Sequence, residues 1–372
     1  MKANKLKVKT KSKNYNIYFG FNILKKISLI LKLENINFEK CLIVVDKKIP
    51  KNKLNILKKK INCKNKITFF ITANEKNKNQ ESVNRILKFL FKKSFNRNDS
   101  IISLGGGITG DLVGFVASIY KRGIKFINIP STLLAQVDSS IGGKTGINNK
   151  FGKNLIGSFY QPDLVITDTS LLKSLPKKEL ICGYGEMLKH SLISNPSEFN
   201  FLNKNKLKIF KLDKLLIGKA ILRSCKIKKK VVEIDTKEQN LRKKLNFGHT
   251  FAHAYEASTK YSKNLNHGEA VILGIISAIE FSYYNNLLSK NILKKIIKHI
   301  ESLEINVKFD KYFSYKNVNK IINFMKIDKK NNSNKINLIL LKNIGKPVIN
   351  NSYDVNKIAF FFKKKLFKKY LN

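Results

Sequence analysis

The stretch DSIISLGGGITGDLVGFVASIYKRGIKFINIP, residues 99–130, contains the parts of a β-α-β unit in order. DSIISL (99–104) predicts a buried strand, the segment from Asp111 to Tyr120 predicts a helix, and KFINIP (125–130) predicts a second strand. Continuous apolar strands that alternate with helices are typical of a parallel sheet covered on both faces. The stretch therefore predicts an α/β fold.

The turn of this unit is rich in glycine, and Gly105, Gly107 and Gly110 spell G-x-G-x-x-G. Glycines let backbone amides approach a pyrophosphate at the positive end of a helix. The acidic residue expected about twenty positions further on is missing, since that region reads NIPST. Asp46, at the end of an earlier predicted strand, offers a carboxylate for ribose hydroxyls instead. The motif predicts nucleotide binding, with a purely structural glycine turn as the alternative.

The alternation of strands and helices extends towards the N-terminus. The predicted elements there are strands CLIVVD (41–46) and ITFFIT (67–72) and helices near 51–60 and 80–93. Beyond Pro176 the apolar residues follow helical spacing almost throughout. We therefore predict an α/β nucleotide-binding domain with a parallel sheet over residues 1–176 and a mostly α-helical domain over residues 177–372.

Composition excludes several classes of protein. The chain has 372 residues, enough to bury a large core, and 43% of them are hydrophobic. It has no run of eighteen apolar residues, so we expect no transmembrane helix, and its basic N-terminus lacks the apolar segment of a secretory signal. Four cysteines without paired spacing favour reduced thiols and a cytoplasmic protein.

The net charge of +48 suggests nucleic-acid binding, but the distribution of the charge does not. A nucleic-acid-binding protein concentrates basic residues on one face or tail, whereas lysine here is spread along nearly the whole chain. Abundant asparagine and isoleucine accompany it, which favours a bias in codon usage. We expect neither a specific nucleic-acid partner nor a membrane partner.

The segment PSTLLAQVDSSIGGKTGINNKFGKNLIGSFYQP, residues 130–162, sets polar side chains among many glycines. Apolar residues also run through it, which is typical of an ordered loop. We interpret it as a loop that binds hydroxyls and phosphate. Arginine is rare in this chain, and lysine cannot replace it where a bidentate fork is needed. Arg122 and Arg242, which lie in motif-like stretches, are therefore candidate functional residues.

Three of the five histidines, His249, His253 and His267, lie within nineteen residues. On a helix, the first two face the same side. Glu186 and Lys189, three residues apart in GYGEMLKHSL, also share a helical face, and their apolar neighbours indicate a buried setting. The pattern allows three histidine ligands for a zinc ion, or two histidines plus Glu186. Three histidines packed in the core are the alternative.

Taken together, these stretches resemble the 3-dehydroquinate synthase family of the sugar-phosphate cyclases. The resemblance runs from about Asp46 to Gly345 and is carried by GGGITGDLVGF, VDSSIGGKTG, GKNLIGSFYQP, GEMLKH, LRKKLNFGHTFAHAYEA and NHGEAV. It implies a carbon–oxygen lyase of the shikimate pathway that converts 3-deoxy-D-arabino-heptulosonate 7-phosphate to 3-dehydroquinate and phosphate. The implied steps are transient oxidation by NAD, phosphate elimination, re-reduction and aldol closure. Another sugar-phosphate cyclase or a metal-dependent polyol dehydrogenase is the alternative.

The resemblance also implies roles for individual residues. Glu186, His249 and His267 would hold one divalent metal ion, zinc or cobalt, while His253 would stay off the metal as a hydrogen-bonding helper. Arg122 would reach the substrate phosphate across the interface of a homodimer. The other catalytic and substrate-binding residues would be Lys144, Lys189, Arg242, Asn246, Asp138, Asn154, Lys228 and one of Lys329 and Lys330. The NAD-binding residues would be Asp46, Glu75, Lys78, Gly106, Gly107, Asp111, Ser131, Thr132, Lys144, Lys153, Ser174 and Glu179.

Overall fold

The computed structural model describes residues 4–260, 264–305, 307–327 and 334–366. The chain divides into two compact units. The first unit contains the chain up to Pro176 together with Leu212–Lys237, and the second contains Lys177–Lys211 together with the chain from Glu238 onward.

The strands of the first unit are β1 (Asn4–Val8), β2 (Tyr15–Gly20), β3 (Lys40–Asp46), β4 (Asn65–Ile71), β5 (Ser100–Gly105), β6 (Lys125–Pro130), β7 (Lys144–Asn149), β8 (Gly152–Phe159) and β9 (Leu164–Asp168). Seven of them form one sheet with the strand order β1-β2-β9-β6-β5-β3-β4. Its helices are α1 (Ile27–Leu33), α2 (Lys51–Lys60), α3 (Gln80–Lys92), α4 (Gly107–Ile119) and α7 (Lys214–Ile234). Strands β7 and β8 form a separate antiparallel hairpin.

All neighbouring strands of the large sheet run parallel except β1 and β2. The prediction of an α/β fold with a parallel sheet is confirmed. Helices α1 and α2 pack on one face of the sheet, where Leu54 and Leu57 join its core. Helices α3 and α4 pack on the other face, where Ile86 and Val113 join a second core.

The two helix layers define a switch point between β3 and β5. The helix that follows β3 covers one face, whereas the helix that follows β5 covers the other. Loops that leave neighbouring parallel strands in opposite directions open a crevice at the carboxyl ends of those strands. The ends of β3 and β5 are Asp46 and Gly105, so Asp46 and the glycine turn after β5 lie at this crevice.

The helix α7 departs from the division expected from the sequence. Residues 212–237 were assigned to the C-terminal domain, but they belong to the first unit. There the Sγ of Cys225 donates to the carbonyl of Gln136 at 3.2 Å, and Ile221 is buried. Helical spacing identifies the apolar face of a helix, but it does not tell which partner covers that face.

The second unit is mostly helical, as predicted. Its helices are α5 (Lys177–Ser194), α6 (Pro196–Phe210), α8 (His249–Ser258), α9 (His267–Tyr284), α10 (Lys290–Glu301), α11 (Phe309–Tyr312), α12 (Val318–Ile327) and α13 (Val355–Leu366). It also contains an antiparallel hairpin of β10 (Lys335–Asn343) and β11 (Lys346–Asp354), which the sequence analysis missed. Gly345, with φ of 81°, lies in its turn.

The aromatic C-terminal segment forms a docked helix as far as it is described. Phe361 and Phe362 on α13 are fully buried, and Phe362 stacks on Phe309 with ring centroids 5.5 Å apart. Among the described helices, none combines the length and the apolar character needed to cross a membrane.

Substitution by alanine should change the free energy of unfolding in opposite directions at two glycines, Gly268 and Gly218. A Cβ added to Gly268 on α9 would lie 2.3 Å from the Cα of Cys182 on α5, where backbone cannot yield. Gly268→Ala should therefore lower the free energy of unfolding by about 1–3 kcal/mol. A Cβ on Gly218 of α7 would meet nothing within 4 Å, so Gly218→Ala should raise it by about 1 kcal/mol. Urea denaturation measures both, and equal shifts would contradict the close approach of α5 and α9.

Candidate metal and nucleotide sites

Three helices of the second unit carry the predicted metal ligands. Glu186 lies in the middle of α5, while His249 and His267 are the first residues of α8 and α9. Gly248 precedes α8 with φ of 78°, and a Cβ there would lie 2.9 Å from the backbone nitrogen of Ile275. Only glycine fits this left-handed, crowded position, and it fixes where α8 begins.

The start of α9 is fixed by a capping box. The side chain of Asn266 accepts from the backbone N–H of Glu269 at 3.0 Å, and the Glu269 carboxylate accepts from the backbone N–H of Asn266 at 3.1 Å. Two helix-terminal N–H groups are thereby satisfied. The cap places His267 at the first position of the helix.

The structure places two of the three predicted ligands, Glu186 and His249, in direct contact. The Nε2 of His249 lies 3.3 Å from Oε1 of Glu186, whose side chain is almost fully buried. The ring centroid of His249 lies 6.4 Å from that of His267 and 5.5 Å from that of His253. The other carboxylate oxygen of Glu186 forms an ion pair with the buried ammonium of Lys189. His253 itself is exposed.

Hydrogen bonds fix which ring nitrogen carries the hydrogen in two of these histidines. The Nδ1 of His249 lies 3.3 Å from the carbonyl oxygen of Phe247, and the Nδ1 of His267 lies 3.1 Å from Oε2 of Glu256. Each oxygen accepts, so each Nδ1–H donates. A neutral imidazole held in this way carries its unshared electron pair on Nε2, the form that binds a metal ion.

This donor set fits a divalent metal ion. Burial, together with the nearby ammonium of Lys189, lowers the pKa of His249, although Glu186 acts in the opposite direction. The Nε2 electron pair of a neutral His249 thus faces a carboxylate oxygen at 3.3 Å. Two such donors favour a cation that both can coordinate, and imidazole with carboxylate is a usual ligand set for zinc.

The remaining predicted residues of the second unit differ in setting. Arg242 and Asn246 lie in the 3₁₀ turn Leu241–Asn246. Arg242 is buried, and Nδ2 of Asn246 donates to Oε1 of Glu238 at 2.7 Å. Glu179 is exposed in the first turn of α5. Lys329 and Lys330 lie outside the described residues.

The start of α4, in the first unit, has features that suit an anion. Gly106 is the N-cap residue, so no side chain caps the first amides of this helix, and a Cβ on Gly106 would lie 3.0 Å from the side chain of Thr132. Such amides and the positive helix end suit a pyrophosphate. Gly105 differs, because a Cβ there would lie 2.3 Å from Thr109. That glycine is required by the packing of the protein itself.

A buried lysine organises the neighbouring residues. The ammonium of Lys78, only 3% exposed, donates to Oδ2 of Asp111 and to Oδ1 of Asn154, both at 2.5 Å. Burial raises the pKa of the Asp111 carboxyl, and the ammonium of Lys78 opposes that rise. Close by, Nζ of Lys153 lies 3.9 Å from Oε1 of Glu75. Lys78 thus links Asp111 to Asn154, and Lys153 pairs with Glu75. Asn154 is a predicted substrate-binding residue, and the other four are predicted NAD-binding residues.

The predicted loop at 130–162 is ordered in two parts. A π-helical turn, Ala135–Ser139, carries Asp138, and the β7–β8 hairpin follows. Nζ of Lys228 on α7 donates to Oδ1 of Asp138 at 2.8 Å and to its carbonyl oxygen at 2.7 Å. Single π turns are frequent at functional sites.

The other predicted residues of the first unit differ in their exposure to solvent. Ser131 is buried after β6, whereas Lys144, Ser174 and Arg122 are exposed. Arg122 has a left-handed backbone with φ of 64°. Asp46, 8% exposed, accepts weakly from the backbone N–H of Lys48 at 3.3 Å.

Sequence reasoning missed two carboxylates that contact predicted site residues. Glu256 binds His267, and Glu238 binds Asn246. A signal for Glu256 exists, because it follows His249 by seven residues, or two helical turns, and so shares its helical face. No comparable spacing identifies Glu238, which precedes the 3₁₀ turn.

Solved structures share this fold. The chain superposes with a TM-score of 0.84 on 2-deoxy-scyllo-inosose synthase complexed with carbaglucose-6-phosphate, NAD⁺ and Co²⁺, at 22% identity over 97% of this chain and 100% of that one. A TM-score of 0.84 at 22% identity is also found with 2-epi-5-epi-valiolone synthase from Streptomyces hygroscopicus subsp. jinggangensis 5008, with NAD⁺ and Zn²⁺ bound, over 97% and 99% of the two chains. The chain therefore shares its fold with these two synthases.

Sequence relatives identify the family to which the chain belongs. The chain is 57% identical to 3-dehydroquinate synthase of Pelagibacter ubique (strain HTCC1062) over 98% of this chain and 99% of the relative. It is 42% identical to that of Dictyoglomus thermophilum over 92% and 93%. Residues 68–182 match the 3-dehydroquinate synthase N-terminal family model, and residues 183–331 match the C-terminal one. The chain belongs to the 3-dehydroquinate synthase family.

Proposed function

We propose that the protein converts 3-deoxy-D-arabino-heptulosonate 7-phosphate to 3-dehydroquinate and phosphate, a step of the shikimate pathway, with NAD and one divalent metal ion, zinc or cobalt. Family membership and relatives of that name support the reaction. The observation that carries the metal-dependent chemistry is the contact between two metal-binding groups, Nε2 of His249 and the carboxylate of Glu186, which lie 3.3 Å apart.

The residues divide the work by their chemistry. Glu186, His249 and His267 would hold the metal ion, while Asp46 and the start of α4 would hold NAD. When bound, the metal ion supplies a Lewis acid for substrate hydroxyls, and NAD supplies a reversible hydride acceptor. The exposed His253 takes and returns the proton of a substrate hydroxyl.

Cationic residues bind the anionic substrate. Lys144 and Arg242 supply charge-assisted hydrogen bonds to carboxylate and hydroxyl oxygens, and Asn246 supplies an amide. These contacts orient a flexible substrate and stabilise oxyanions that develop during elimination and ring closure. Arg122 and one of Lys329 and Lys330 hold the phosphate, which itself removes the neighbouring proton before it leaves.

Phosphate release tests this function directly. The purified protein should release phosphate from the heptulosonate phosphate only when NAD⁺ is present. A chelator should abolish release because it removes the metal ion. Added zinc or cobalt should restore release, because the ligands remain in the protein and bind the ion again. A sugar phosphate without a carboxylate serves as the control for other cyclases and should be a poor substrate. Release that ignores both NAD⁺ and chelator would contradict the proposal.

Two histidine variants test the assignment of ligands. His249→Ala should lose bound zinc, since it removes the Nε2 donor beside Glu186. His253→Ala should keep nearly stoichiometric zinc and turn over more slowly, because we assign it proton transfer and no coordination. Metal analysis and turnover of both variants give the comparison. If both lose zinc equally, His253 is a ligand and the assignment is wrong.

We also propose a homodimer in which Arg122 serves the substrate phosphate of the partner subunit. Arg122 is exposed, and the β7–β8 hairpin exposes apolar side chains, with Phe151 78% and Leu155 61% accessible. Exposed apolar side chains grouped in this way are typical of protein interfaces. We further place the protein in the cytoplasm, which its four free cysteines support.

Mixed dimers test the role of Arg122. Arg122→Ala and His249→Ala should each be inactive alone. Mixed together, they should regain activity, because each mixed dimer contains one site with an intact His249 and the intact Arg122 of the other subunit. Phosphate release after exchange of subunits measures this. A mixture that stays inactive while exchange is demonstrated would mean that Arg122 acts in its own subunit.

A further inference from the structure

Glu256 is a buried carboxylate that the proposed chemistry does not use. It lies on α8, is only 6% exposed, and places Oε2 at 3.1 Å from Nδ1 of His267 on α9. A buried carboxylate is costly unless hydrogen bonds satisfy it. Its direct contact with a predicted metal ligand gives this burial a specific consequence.

The two predicted histidine ligands differ in how firmly their surroundings hold them. The side chain of His249 is 14% exposed, and a backbone carbonyl accepts from its Nδ1. The side chain of His267 is 37% exposed. A turn of this ring about χ2 would exchange the positions of its two nitrogens. An acceptor at Nδ1 is what selects one orientation.

We propose that Glu256 is a positioning residue of the metal centre, which holds His267 with Nε2 available to the metal ion. The inference rests on the proposed function. The carboxylate accepts the Nδ1 hydrogen, so it fixes the ring and its tautomer. Its negative charge also makes the imidazole a stronger donor to a cation.

The position of Glu256 gives α8 two tasks. The helix carries His249 at its first residue and Glu256 two turns later. It therefore supplies one ligand itself and orients the ligand that α9 supplies. The relative placement of α8 and α9 is set in part by this bond, which joins the side chains of Glu256 and His267.

Metal affinity tests this role without reference to turnover. Glu256→Ala should weaken zinc binding about 10- to 100-fold in competition with a chromophoric chelator. Glu256→Gln should weaken it less, because the amide oxygen can still accept from Nδ1 but carries no charge. The visible spectrum of the cobalt-loaded variants should change with the ligand field, which a purely structural role would not cause.

Glu280 is the matched control. It is also 6% exposed, lies on α9, and pairs with the ammonium of Lys365 on α13. Glu280→Gln and Glu280→Ala should lower stability and leave zinc affinity unchanged. Equal loss of zinc affinity from the Glu256 and Glu280 variants would overturn the inference.

The outcomes separate this inference from the proposed function. A wild-type protein that binds no zinc overturns both. A wild-type protein that binds zinc, with a Glu256→Ala variant that binds it equally well, overturns the role of Glu256 alone. If Glu256→Ala fails to fold, Glu256→Gln decides: weaker zinc binding supports the role, and unchanged binding overturns it.

Discussion

The candidate metal site of the second unit depends on one contact between a buried carboxylate and a partly buried imidazole. The carboxylate of Glu186 on α5 and Nε2 of His249 on α8 lie 3.3 Å apart, and both helices pack on α9. Nδ1 of His249 donates to a backbone carbonyl, which turns Nε2 towards Glu186, and burial lowers the pKa of this imidazole. Lys189 compensates part of the charge. Such an arrangement is stable only if a cation is present or the surrounding helices resist separation.

Those helices are fixed by local features that have little to do with metal chemistry. Gly248 starts α8 because no other residue fits its backbone, and the box of Asn266 and Glu269 starts α9. Gly268 then lets α9 approach α5 closely. Each feature lies within one or two residues of a predicted ligand. The positions of His249 and His267 are therefore determined by where α8 and α9 begin.

Sequence patterns predicted the parts of the structure that depend on local chemistry. Strand β3 and helix α2 were expected at 41–46 and 51–60 and are found at Lys40–Asp46 and Lys51–Lys60, since apolar runs and helical spacing record local burial. The hairpin of β10 and β11 was missed, because the apolar run of β10 is almost continuous, and periodicity alone does not tell such a run from a buried helix. The packing of α7 was missed because periodicity carries no information about distant partners.

The candidate sites follow the same rule. The clustering of histidines was visible in the sequence, but the choice between ligand sets came from a resemblance and remains a prediction. The bond from Nδ1 of His267 to Glu256 depends on how two helices meet, which spacing within α8 only suggests. Gly105 shows the opposite case, since a motif residue is explained by Thr109 rather than by a nucleotide.

The assignment of α7 to the first unit has a consequence for synthesis of the protein. The chain passes from one unit to the other after residues 176, 211 and 237. A ribosome must therefore complete the segment 177–211 before it makes the helix that the first unit still lacks. During that interval the nascent α5 exposes residues that the finished protein buries, including Leu188 and Leu192. The first unit is complete once residue 237 has been made, whereas α5 must wait for the chain from Glu238 onward. Its apolar surface therefore stays exposed during synthesis, as in folding intermediates that chaperones protect.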